Sequence, residues 1–287
     1  MAIPQSILTT LSDRFNIQIN HSQTESGGSI NRAFRVSTNR GDLFLKYNSS
    51  APDDFFEKEA HGLKELNGAG SRLRIPEVIA FGKPNSVTPG FLLMEFIPEG
   101  RNGDSFAFGA ELAKLHQTKK KSFGLDRDNY IGSLPQKNDH RDDWISFFVE
   151  MRINPQIKMA VNSGKLSGNI QKNWSRLAGK LDQIIPHCEP SLIHGDLWGG
   201  NYLFDETGKA VLIDPAVYYG HPEMDLAFSK MFGGFSADFY EGYESVTPLE
   251  PGFSDRVAVY NMYPLLVHVN LFGGHYTSQF ERFIKSF

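Results

Sequence analysis

The hydrophobic and polar positions in the first hundred residues predict a small unit that is rich in strands. Residues 31–37 alternate between apolar and polar side chains, with Phe34 and Val36 on one face, and predict a strand. Residues 39–42 (Asn-Arg-Gly-Asp) are typical of a turn, and residues 43–47 (Leu-Phe-Leu-Lys-Tyr) predict the return strand of a hairpin. Two further strands are predicted over residues 74–81 and 91–96.

A helix is predicted over residues 52–67, between these strands. Pro52 suits the first helical position, and the two aspartates that follow it suit the positive end of the helix dipole. Gly68 and Gly70 end the segment. The apolar residues recur at intervals of three and four, which indicates one buried face made of Phe55, Phe56, Leu63 and Leu66.

The rest of the chain predicts mainly helices. A turn or short linker at Pro98-Glu99-Gly100 precedes them, and a compact cluster of strands over residues 192–213 interrupts them. Helical patterns occupy residues 105–116, 144–151, 174–185 and most of 225–287. We therefore expect an α+β fold with a small β-rich N-terminal lobe over residues 1–97 and a larger, mainly helical lobe over residues 98–287. A cleft between two such lobes is a common ligand site.

The charge balance and the cysteine content exclude several classes of protein. The 287 residues include 29 Lys and Arg against 33 Asp and Glu, a net charge of −4, which argues against nonspecific nucleic-acid binding. The single cysteine, Cys188, excludes an internal disulfide framework and a cysteine-rich zinc site.

The first ten residues lack the pattern of a secretory signal, and the apolar stretch at residues 260–272 is too short and too polar to span a bilayer. We expect a cytoplasmic protein without a membrane partner, and the sequence leaves its oligomeric state open.

The segment with the clearest chemistry is the loop at residues 194–201 (His-Gly-Asp-Leu-Trp-Gly-Gly-Asn). Apolar residues precede and follow it, which predicts a loop that opens between two strands. Asp196 is expected to present a carboxylate from this loop, and His194 to hold the loop by hydrogen bonds. Asp225, at the start of a predicted helix, is expected to brace the same loop. Trp198 is either a core aromatic residue or, because it lies inside a polar loop, a residue that stacks on the substrate.

A second hairpin is predicted to place Asn201 and Asp214 side by side. Residues 202–204 and 210–213 are apolar, and residues 205–209 between them (Asp-Glu-Thr-Gly-Lys) are typical of a turn. If the two apolar segments pair about this turn, Asn201 and Asp214 lie at the open end of the hairpin. An amide oxygen and a carboxylate are suitable ligands for a hard divalent cation such as Mg²⁺.

Lys46 and Glu59 are predicted to form an ion pair in the N-terminal lobe. Lys46 interrupts an apolar strand, and Glu59 lies in the middle of the buried helix face, four residues after Phe55 and four before Leu63. A carboxylate buried there without a cation would be strongly unfavourable, and Lys46 on the preceding strand is the nearest candidate. A phosphoryl-transfer site contains an Asp that acts as the base, an Asn and a second Asp that bind magnesium, and a Lys that contacts the nucleotide phosphates.

A glycine-rich turn precedes the first predicted strand. The absence of a side chain at Gly27 and Gly28, next to Ser29, would allow backbone N–H groups to approach phosphates, although such a turn also occurs without any ligand. Other catalytic motifs are absent from the sequence. They are the Walker loop, the Gly-x-Ser-x-Gly elbow, the His-Glu-x-x-His zinc motif and the Gly-x-Gly-x-x-Gly dinucleotide fingerprint.

Together these motifs resemble those of kinases of the aminoglycoside and choline phosphotransferase type, which share the protein-kinase fold. More narrowly, they resemble the fructosamine kinase (ketosamine-3-kinase) family. Many phosphotransferases share the motif at residues 194–201, whereas the longer stretch at 214–235 is far more specific. The stretches that carry the resemblance are residues 27–31, 123–124, 129–132, 194–201, 214–220, 225–227, 232–235 and 268–274.

This resemblance implies a protein-kinase-like two-lobed fold and transfer of the γ-phosphate of ATP to the 3-hydroxyl of a ketosamine, a reaction linked to protein deglycation. It implies that Asp196 is the base, that Asn201 and Asp214 bind Mg²⁺, and that Lys46 contacts Glu59 and the ATP phosphates. The substrate would be a small-molecule or a protein-bound ketosamine. The resemblance also implies a connector between the lobes whose backbone contacts adenine, made of Met94, Glu95, Phe96 and Ile97.

Two other functions stay open at this point. The first is a kinase for another amine-bearing alcohol, such as choline or an aminoglycoside. The second is a catalytically inactive, nucleotide-binding pseudokinase that acts as a scaffold. The sequence argues against the second because it contains all of the expected residues, Lys46, Glu59, Asp196, Asn201 and Asp214.

Overall fold

The computed structural model of the chain describes residues 2–25 and 30–285. The predicted glycine turn, with Gly27, Gly28 and Ser29, therefore lies outside the described residues. Within the two described ranges, no helix has the length and apolar character needed to cross a membrane.

The N-terminal part of the chain is built around an antiparallel sheet of five strands. Its elements are α1 (Gln5–Phe15), β1 (Ile19–Glu25), β2 (Arg32–Thr38), β3 (Gly41–Asn48), α2 (Phe55–Asn67), β4 (Val78–Gly82) and β5 (Gly90–Glu95). The strand order is β1-β2-β3-β5-β4. On one face of the sheet, Ile7 and Leu11 of α1 share a buried core with Phe34, Val36 and Leu45. Because side chains alternate along a strand, Lys46 points to the opposite face.

Most of the predicted N-terminal elements are confirmed, with two corrections. The β2–β3 hairpin forms as predicted, with Thr38 opposite Gly41. Helix α2 begins at Phe55 instead of Pro52, because the Pro52 carbonyl accepts the Phe55 N–H in a turn that precedes the helix. Strand β4 begins at Val78 instead of residue 74, because Arg74 pairs with Val211.

The middle of the chain is mainly helical, as predicted. Its elements are α3 (Ser105–His116), β6 (Asn129–Ile131), β7 (Leu134–Gln136), α4 (Trp144–Phe147), α5 (Asn154–Asn162), α6 (Ile170–Ala178) and α7 (Leu181–Ile184). A π-helix, Phe148–Ile153, joins α4 to α5, so the predicted helix at residues 144–151 extends further than expected. The helix predicted over residues 174–185 is in fact parts of α6 and α7, since α6 ends at Ala178, directly before Gly179.

Four short strands follow, and they carry the loop singled out by the sequence. They are β8 (Ser191–Ile193), β9 (Tyr202–Phe204), β10 (Ala210–Leu212) and β11 (Tyr218–Gly220). Strands β9 and β10 form the predicted hairpin, with Leu212 opposite Tyr202. Strand β8 pairs in antiparallel fashion with β11, a strand that the sequence did not predict.

The C-terminal part is helical, as its pattern predicts. It comprises α8 (Glu223–Met231), α9 (Ala237–Glu244), α10 (Phe253–Tyr260), α11 (Met262–Phe272) and α12 (His275–Lys285). Helix α11 is largely apolar, and most of its side chains are buried. It is therefore a core helix.

The chain divides into two compact units, each made of two separate segments. The first unit comprises Met1–Asp104 and Gly200–Pro215, and the second comprises Ser105–Gly199 and Ala216–Phe287. The β9–β10 hairpin groups with the first unit because Gly100 donates its N–H to the Phe204 carbonyl at 2.7 Å, and Asp104 donates its N–H to the Gly208 carbonyl at 3.2 Å. This division differs from the predicted boundary between residues 97 and 98.

Candidate functional site

In the first unit, one buried lysine contacts two carboxylates. Lys46 on β3 is only 3% exposed. Its ammonium forms an ion pair with Glu59 of α2, as the periodicity of that helix predicted. It also donates a hydrogen bond to Oδ1 of Asp214 at 2.5 Å, a contact that the sequence did not predict. The strand, the helix and the segment after β10 therefore meet at one cation.

The charges in this cluster are unbalanced. Burial by itself lowers the pKa of Lys46, but the charges of Asp214 and Glu59 more than offset that effect and raise the pKa above its usual value. Burial raises the pKa of Glu59, and the charge of Lys46 opposes that rise. Two carboxylates thus share a single ammonium group, and a further positive charge at Asp214 would be favourable.

The hairpin brings Asn201 next to the Asp214 segment. The Ile213 N–H donates to the Asn201 carbonyl at 3.0 Å, which extends the β9–β10 pairing and places Asn201 opposite Ile213. Asp214 follows directly, with a φ of 53° in the left-handed region. Asp and Asn tolerate this region better than most residues that carry a side chain.

The oxygen atoms of Asn201 and Asp214 suit a magnesium ion that is shared with phosphates. Asn201 is nearly buried, whereas the Asp214 side chain is 46% exposed. Among the residues that the structure describes, no group of three or more His, Cys, Asp or Glu side chains could hold a metal ion. Mg²⁺ bound mainly by substrate phosphates and water requires only one or two protein oxygens.

The predicted connector, Met94-Glu95-Phe96-Ile97, comprises the last two residues of β5 and the two residues that follow it. Glu95 donates its backbone N–H to the carbonyl of Glu77, the residue before β4, at 2.8 Å. Any backbone hydrogen bond donated to adenine must therefore come from another connector residue. The Phe96 ring lies 4.5 Å from the guanidinium carbon of Arg35, while Met94 and Ile97 are buried.

Phe44 lies on the same face of β3 as Lys46 and was missed by sequence reasoning. It is two residues before Lys46, so its side chain points to the same side of the strand. It is half-buried, and its partner across the sheet is Met94, the first connector residue. An aromatic residue two positions before the strand lysine is a signal that the sequence did contain.

In the second unit, Asp225 braces the loop that carries Asp196, as predicted. Its Oδ2 accepts the His194 N–H at 2.7 Å, and its Oδ1 accepts the Gly195 N–H at 2.8 Å. Asp225 lies in the first turn of α8. His194 is fully buried, and its Nδ1 lies 3.3 Å from the Asp196 backbone N–H, which matches its predicted structural role. Asp196 itself is half-buried.

Gly195 allows the tight path of this loop. Its φ is +80°, and a Cβ atom at this position would lie 2.2 Å from the carbonyl oxygen of Ala216. Only glycine fits both conditions. Ala216 also donates its N–H to the His194 carbonyl at 2.9 Å, so the two segments are fixed to each other.

Two buried residues that sequence reasoning missed, His116 and Tyr243, help to hold Asp225, the second through its contact with the first. Nε2 of His116, at the end of α3, lies 3.2 Å from Oδ2 of Asp225. Nδ1 of His116 lies 2.9 Å from the hydroxyl oxygen of Tyr243. The three residues come from α3, α8 and α9, which are far apart in sequence, so no local pattern could have linked them.

The chain after Asp214 is held by the small β6–β7 hairpin. Asn129 donates to the Val217 carbonyl at 2.9 Å, and Gln136 donates to the Ala216 carbonyl at 3.0 Å. Asn129 belongs to one of the motifs on which the family resemblance rests. The structure gives that motif a positioning role, since it fixes the segment that lies against the Asp196 loop.

Trp198 is a surface residue, which excludes the core alternative. It is 39% exposed, and its ring lies 6.1 Å from that of Phe232 in an edge-to-face arrangement. Phe232 in turn lies 5.0 Å from the ring of His268. Trp198 is therefore the end of an aromatic row in the second unit, two residues after Asp196.

Comparison with known proteins gives a consistent result over nearly the whole chain. A family model described as fructosamine kinase matches residues 2–287. A probable ketoamine kinase of Enterococcus faecium is 39% identical over 263 residues, which cover 91% of this chain and 93% of the relative. The chloroplastic protein-ribulosamine 3-kinase of Arabidopsis thaliana is 37% identical over 268 residues, which cover 91% of this chain and 80% of that protein.

A solved structure agrees with the fold. A protein from Thermobifida fusca, assigned as a fructosamine-3-kinase, superposes with a TM-score of 0.87 at 31% identity, and the match covers 98% of both chains. The predicted protein-kinase-like α+β fold, with a small β-rich lobe and a larger helical lobe, is confirmed.

Proposed function

Because the chain belongs to the fructosamine kinase family, we propose that it transfers the γ-phosphoryl group of ATP to the 3-hydroxyl of a ketosamine. The family supplies the reaction class, a kinase that uses ATP. The observation that carries the proposal for this chain is the cluster of Lys46, Glu59 and Asp214, with Asn201 beside it on the hairpin. The same parts recur in enzymes that transfer phosphoryl groups.

Lys46 holds the nucleotide phosphates in this proposal. Glu59 fixes its ammonium from the α2 side, so that the group is oriented before the nucleotide arrives. The raised pKa of Lys46 keeps its ammonium group charged at neutral pH. A fixed, desolvated cation stabilises phosphate charge far better than a mobile surface lysine.

Lys46→Ala and Glu59→Ala are each expected to lower kcat/KM for ATP roughly 10²-fold, the scale for losing one preorganised electrostatic group. Lys46→Ala removes the phosphate contact, while Glu59→Ala leaves the ammonium bound to Asp214 alone. Steady-state kinetics over a range of ATP concentrations measure both effects. The control is Lys83→Ala, which breaks an exposed ion pair with Glu57. Glu57 lies on α2, the helix that also carries Glu59. Wild-type kinetics in both variants would refute the pairing as a functional element.

Asn201 and Asp214 would hold Mg²⁺. Their amide and carboxylate oxygens are ligands that this ion accepts, and the excess negative charge around Lys46 favours it. When bound, the ion neutralises charge on the phosphate oxygens during transfer. The protein contributes the spacing of the two ligands, which the hairpin register fixes.

The adenine would lie against Phe44 and the connector. The half-buried ring of Phe44 offers an apolar face beside Met94 on the side of the sheet that carries Lys46. Phe44 and Lys46 are two residues apart on β3, a distance of about 7 Å. Adenine at Phe44 and phosphates at Lys46 would be separated by that distance. That spacing suits a nucleotide that lies along the strand.

Asp196 would act as the base. Its half-buried carboxylate would accept a hydrogen bond from the sugar hydroxyl and aim the oxygen at the γ-phosphorus. It would take up the hydroxyl proton as the new oxygen–phosphorus bond forms and the bond from the γ-phosphorus to the leaving ADP breaks. Asp225, His116 and Gly195 hold the loop through contacts with other protein groups. They are positioning residues.

The ketosamine would lie against Trp198. A ketosamine joins a polyol to an amine that is cationic at neutral pH, and an aromatic face can contact either part. Trp198→Ala is expected to raise KM for the ketosamine roughly threefold to tenfold and to leave KM for ATP unchanged. Separate titrations of the two substrates measure the effect. Phe81→Ala removes a similarly exposed ring from the first unit and is the control. An equal rise in both constants would assign Trp198 to loop packing.

A coupled assay of ATP consumption tests the proposed function directly. The acceptors are ribulosamines, erythrulosamines, fructosamines, choline and an aminoglycoside, each with the wild-type protein and the Asp196→Asn variant. We expect turnover with ketosamines in the wild type alone. Faster turnover of choline or the aminoglycoside would favour a kinase for another amino-alcohol. Nucleotide binding without consumption on any acceptor would favour the pseudokinase. Free fructosyl-lysine compared with a glycated peptide then distinguishes a metabolite from a protein substrate.

A further inference from the structure

We propose that Arg74 is a positioning residue that joins the adenine connector to the hairpin carrying Asn201 and Asp214, and thereby sets the affinity for ATP with magnesium. The inference rests on the proposed function, because it assigns the connector and the hairpin to one nucleotide site. Arg74 lies between α2 and β4, outside the stretches that carry the family resemblance.

The guanidinium group of Arg74 bridges the two elements. Its Nη2 donates to Oε1 of Glu95, in the connector, at 2.5 Å. Its Nη1 donates to Oδ2 of Asp205, in the β9–β10 turn, at 2.7 Å. One planar fork therefore spans the distance between a connector residue and a hairpin residue. A rigid guanidinium suits this role better than a flexible lysine.

The backbone of Arg74 is tied to the same hairpin. Arg74 donates its N–H to the Ala210 carbonyl at 3.0 Å, and its carbonyl accepts the Leu212 N–H at 3.0 Å. Leu212 is two residues before Asp214. The residue that holds Glu95 by its side chain thus fixes the strand leading into the metal ligand by its main chain.

Burial and further hydrogen bonds fix the Asp205 end of the bridge. The Asp205 side chain is 3% exposed, and its Oδ1 accepts hydrogen bonds from the Thr207 N–H, the Thr207 hydroxyl and the Lys209 N–H. The Thr207 hydroxyl and the Arg74 guanidinium hold the pKa of this carboxyl well below its usual range, although burial opposes them. The carboxylate is therefore charged, oriented and unable to turn away from Arg74.

A simple surface ion pair would predict almost no effect on function. The Arg74 side chain is 36% exposed and that of Glu95 is about equally exposed, and isolated pairs of this kind contribute little. The Arg74 bridge differs because a buried acceptor anchors one end and two backbone hydrogen bonds fix its base. Loss of the Arg74 side chain leaves the hairpin folded and leaves Glu95 with its hydrogen bonds to the Glu77 backbone. The Glu95 carboxylate then no longer ties the connector to the hairpin that carries the proposed metal ligands.

Arg74→Met is expected to raise KM for ATP and the magnesium concentration at half-maximal rate, each about fivefold to thirtyfold. KM for the ketosamine should stay unchanged, because nothing in the bridge belongs to the Asp196 loop. Glu95→Gln should change the same two constants in the same direction. The double variant should be no worse than Arg74→Met alone, since both changes break one bridge.

The matched control is Lys83→Met, which removes an exposed basic residue with an acidic partner from the same unit and should behave as wild type. Arg74→Lys tests the fork, and it should recover only part of the ATP affinity. Thermal unfolding of each variant is recorded beside the kinetics. A change of less than about threefold in KM for ATP would overturn the proposal, since it lies below the expected coupling. The proposal would also be overturned if KM for ATP and KM for the ketosamine rose equally, in proportion to the loss of thermal stability across the variants.

Calorimetric titration with ADP and Mg²⁺, without any sugar, separates this inference from the proposed function. If the wild type binds the nucleotide and Arg74→Met binds it more weakly, the bridge is supported even if no ketosamine is phosphorylated. Equal ADP affinity in wild type, Arg74→Met and Glu95→Gln would overturn it whatever the acceptor proves to be. If Arg74→Met fails to fold, Glu95→Gln carries the same test, because it leaves Arg74 and all its hairpin contacts in place.

Discussion

Asp196→Asn is expected to lower kcat by roughly 10²–10⁴ while ADP binding changes little. The substitution keeps the shape of the side chain and removes the charge that, in the proposed role, accepts the hydroxyl proton. A sugar hydroxyl holds its proton tightly at neutral pH, and in a loose transition state the proton leaves late. The main task of the carboxylate is therefore to aim the oxygen and to be ready for the proton, for which an ordinary carboxylate suffices.

Single-turnover measurements with saturating ATP isolate this effect from product release. Asp182→Asn, an exposed aspartate on α7 in the same unit, is the control and should be silent. More than about a tenth of the wild-type rate in Asp196→Asn would defeat the assignment on that scale. The most obvious substitute would be Glu223, but its carboxylate is buried and receives two hydrogen bonds from Arg256, at 2.8 and 2.6 Å. A replacement base would therefore have to be sought elsewhere.

Asp214→Ala is expected to abolish magnesium-dependent turnover, a loss of at least roughly 10². The substitution removes both the proposed metal ligand and one of the two carboxylates on Lys46. Because alanine is strained at a φ of 53°, Asp214→Asn serves as the companion variant that tolerates the backbone conformation. Asn201→Ala, which leaves Asp214 in place, should raise the magnesium requirement without abolishing activity.

Magnesium titrations of initial rate, and of ADP binding, distinguish these variants. If the metal assignment is correct, Asp214→Asn loses the magnesium dependence of ADP binding together with activity. Retention of a wild-type magnesium curve by either Asp214 variant would show that another group holds the ion. An effect on stability alone would appear as a lower melting temperature with unchanged half-saturation by magnesium.

The elements that the sequence predicted well are those whose signals are local. The β9–β10 hairpin follows from two apolar segments around a polar turn, and the ion pair of Lys46 follows from the position of Glu59 on the apolar face of α2. Helix α1 and strand β1 were missed. All residues of β1 are exposed or half-buried, so the strand has no apolar alternation to detect. Strand β11 has three residues, and its partner β8 is more than twenty positions away.

The same distinction applies to the candidate site. The bracing role of Asp225 was predicted from its place at the start of a predicted helix, although its backbone partners His194 and Gly195 lie 31 and 30 positions earlier in the chain. The contact between Lys46 and Asp214 joins residues far apart in the chain, and so does that between His116 and Asp225. Only the folded chain reveals them. Phe44 is the exception, since its place two residues before Lys46 was visible in the sequence.

The discontinuity of the first unit has a consequence for synthesis of the chain. A ribosome that has released Met1–Asp104 has not yet made Gly200–Pro215, the segment that completes this unit. At roughly 5–20 residues per second, the intervening stretch delays completion by about 5–20 s. During that interval Arg74 lacks its strand partners and Lys46 lacks Asp214. Folding during synthesis therefore leaves the first unit incomplete until the intervening residues and Gly200–Pro215 have left the ribosome.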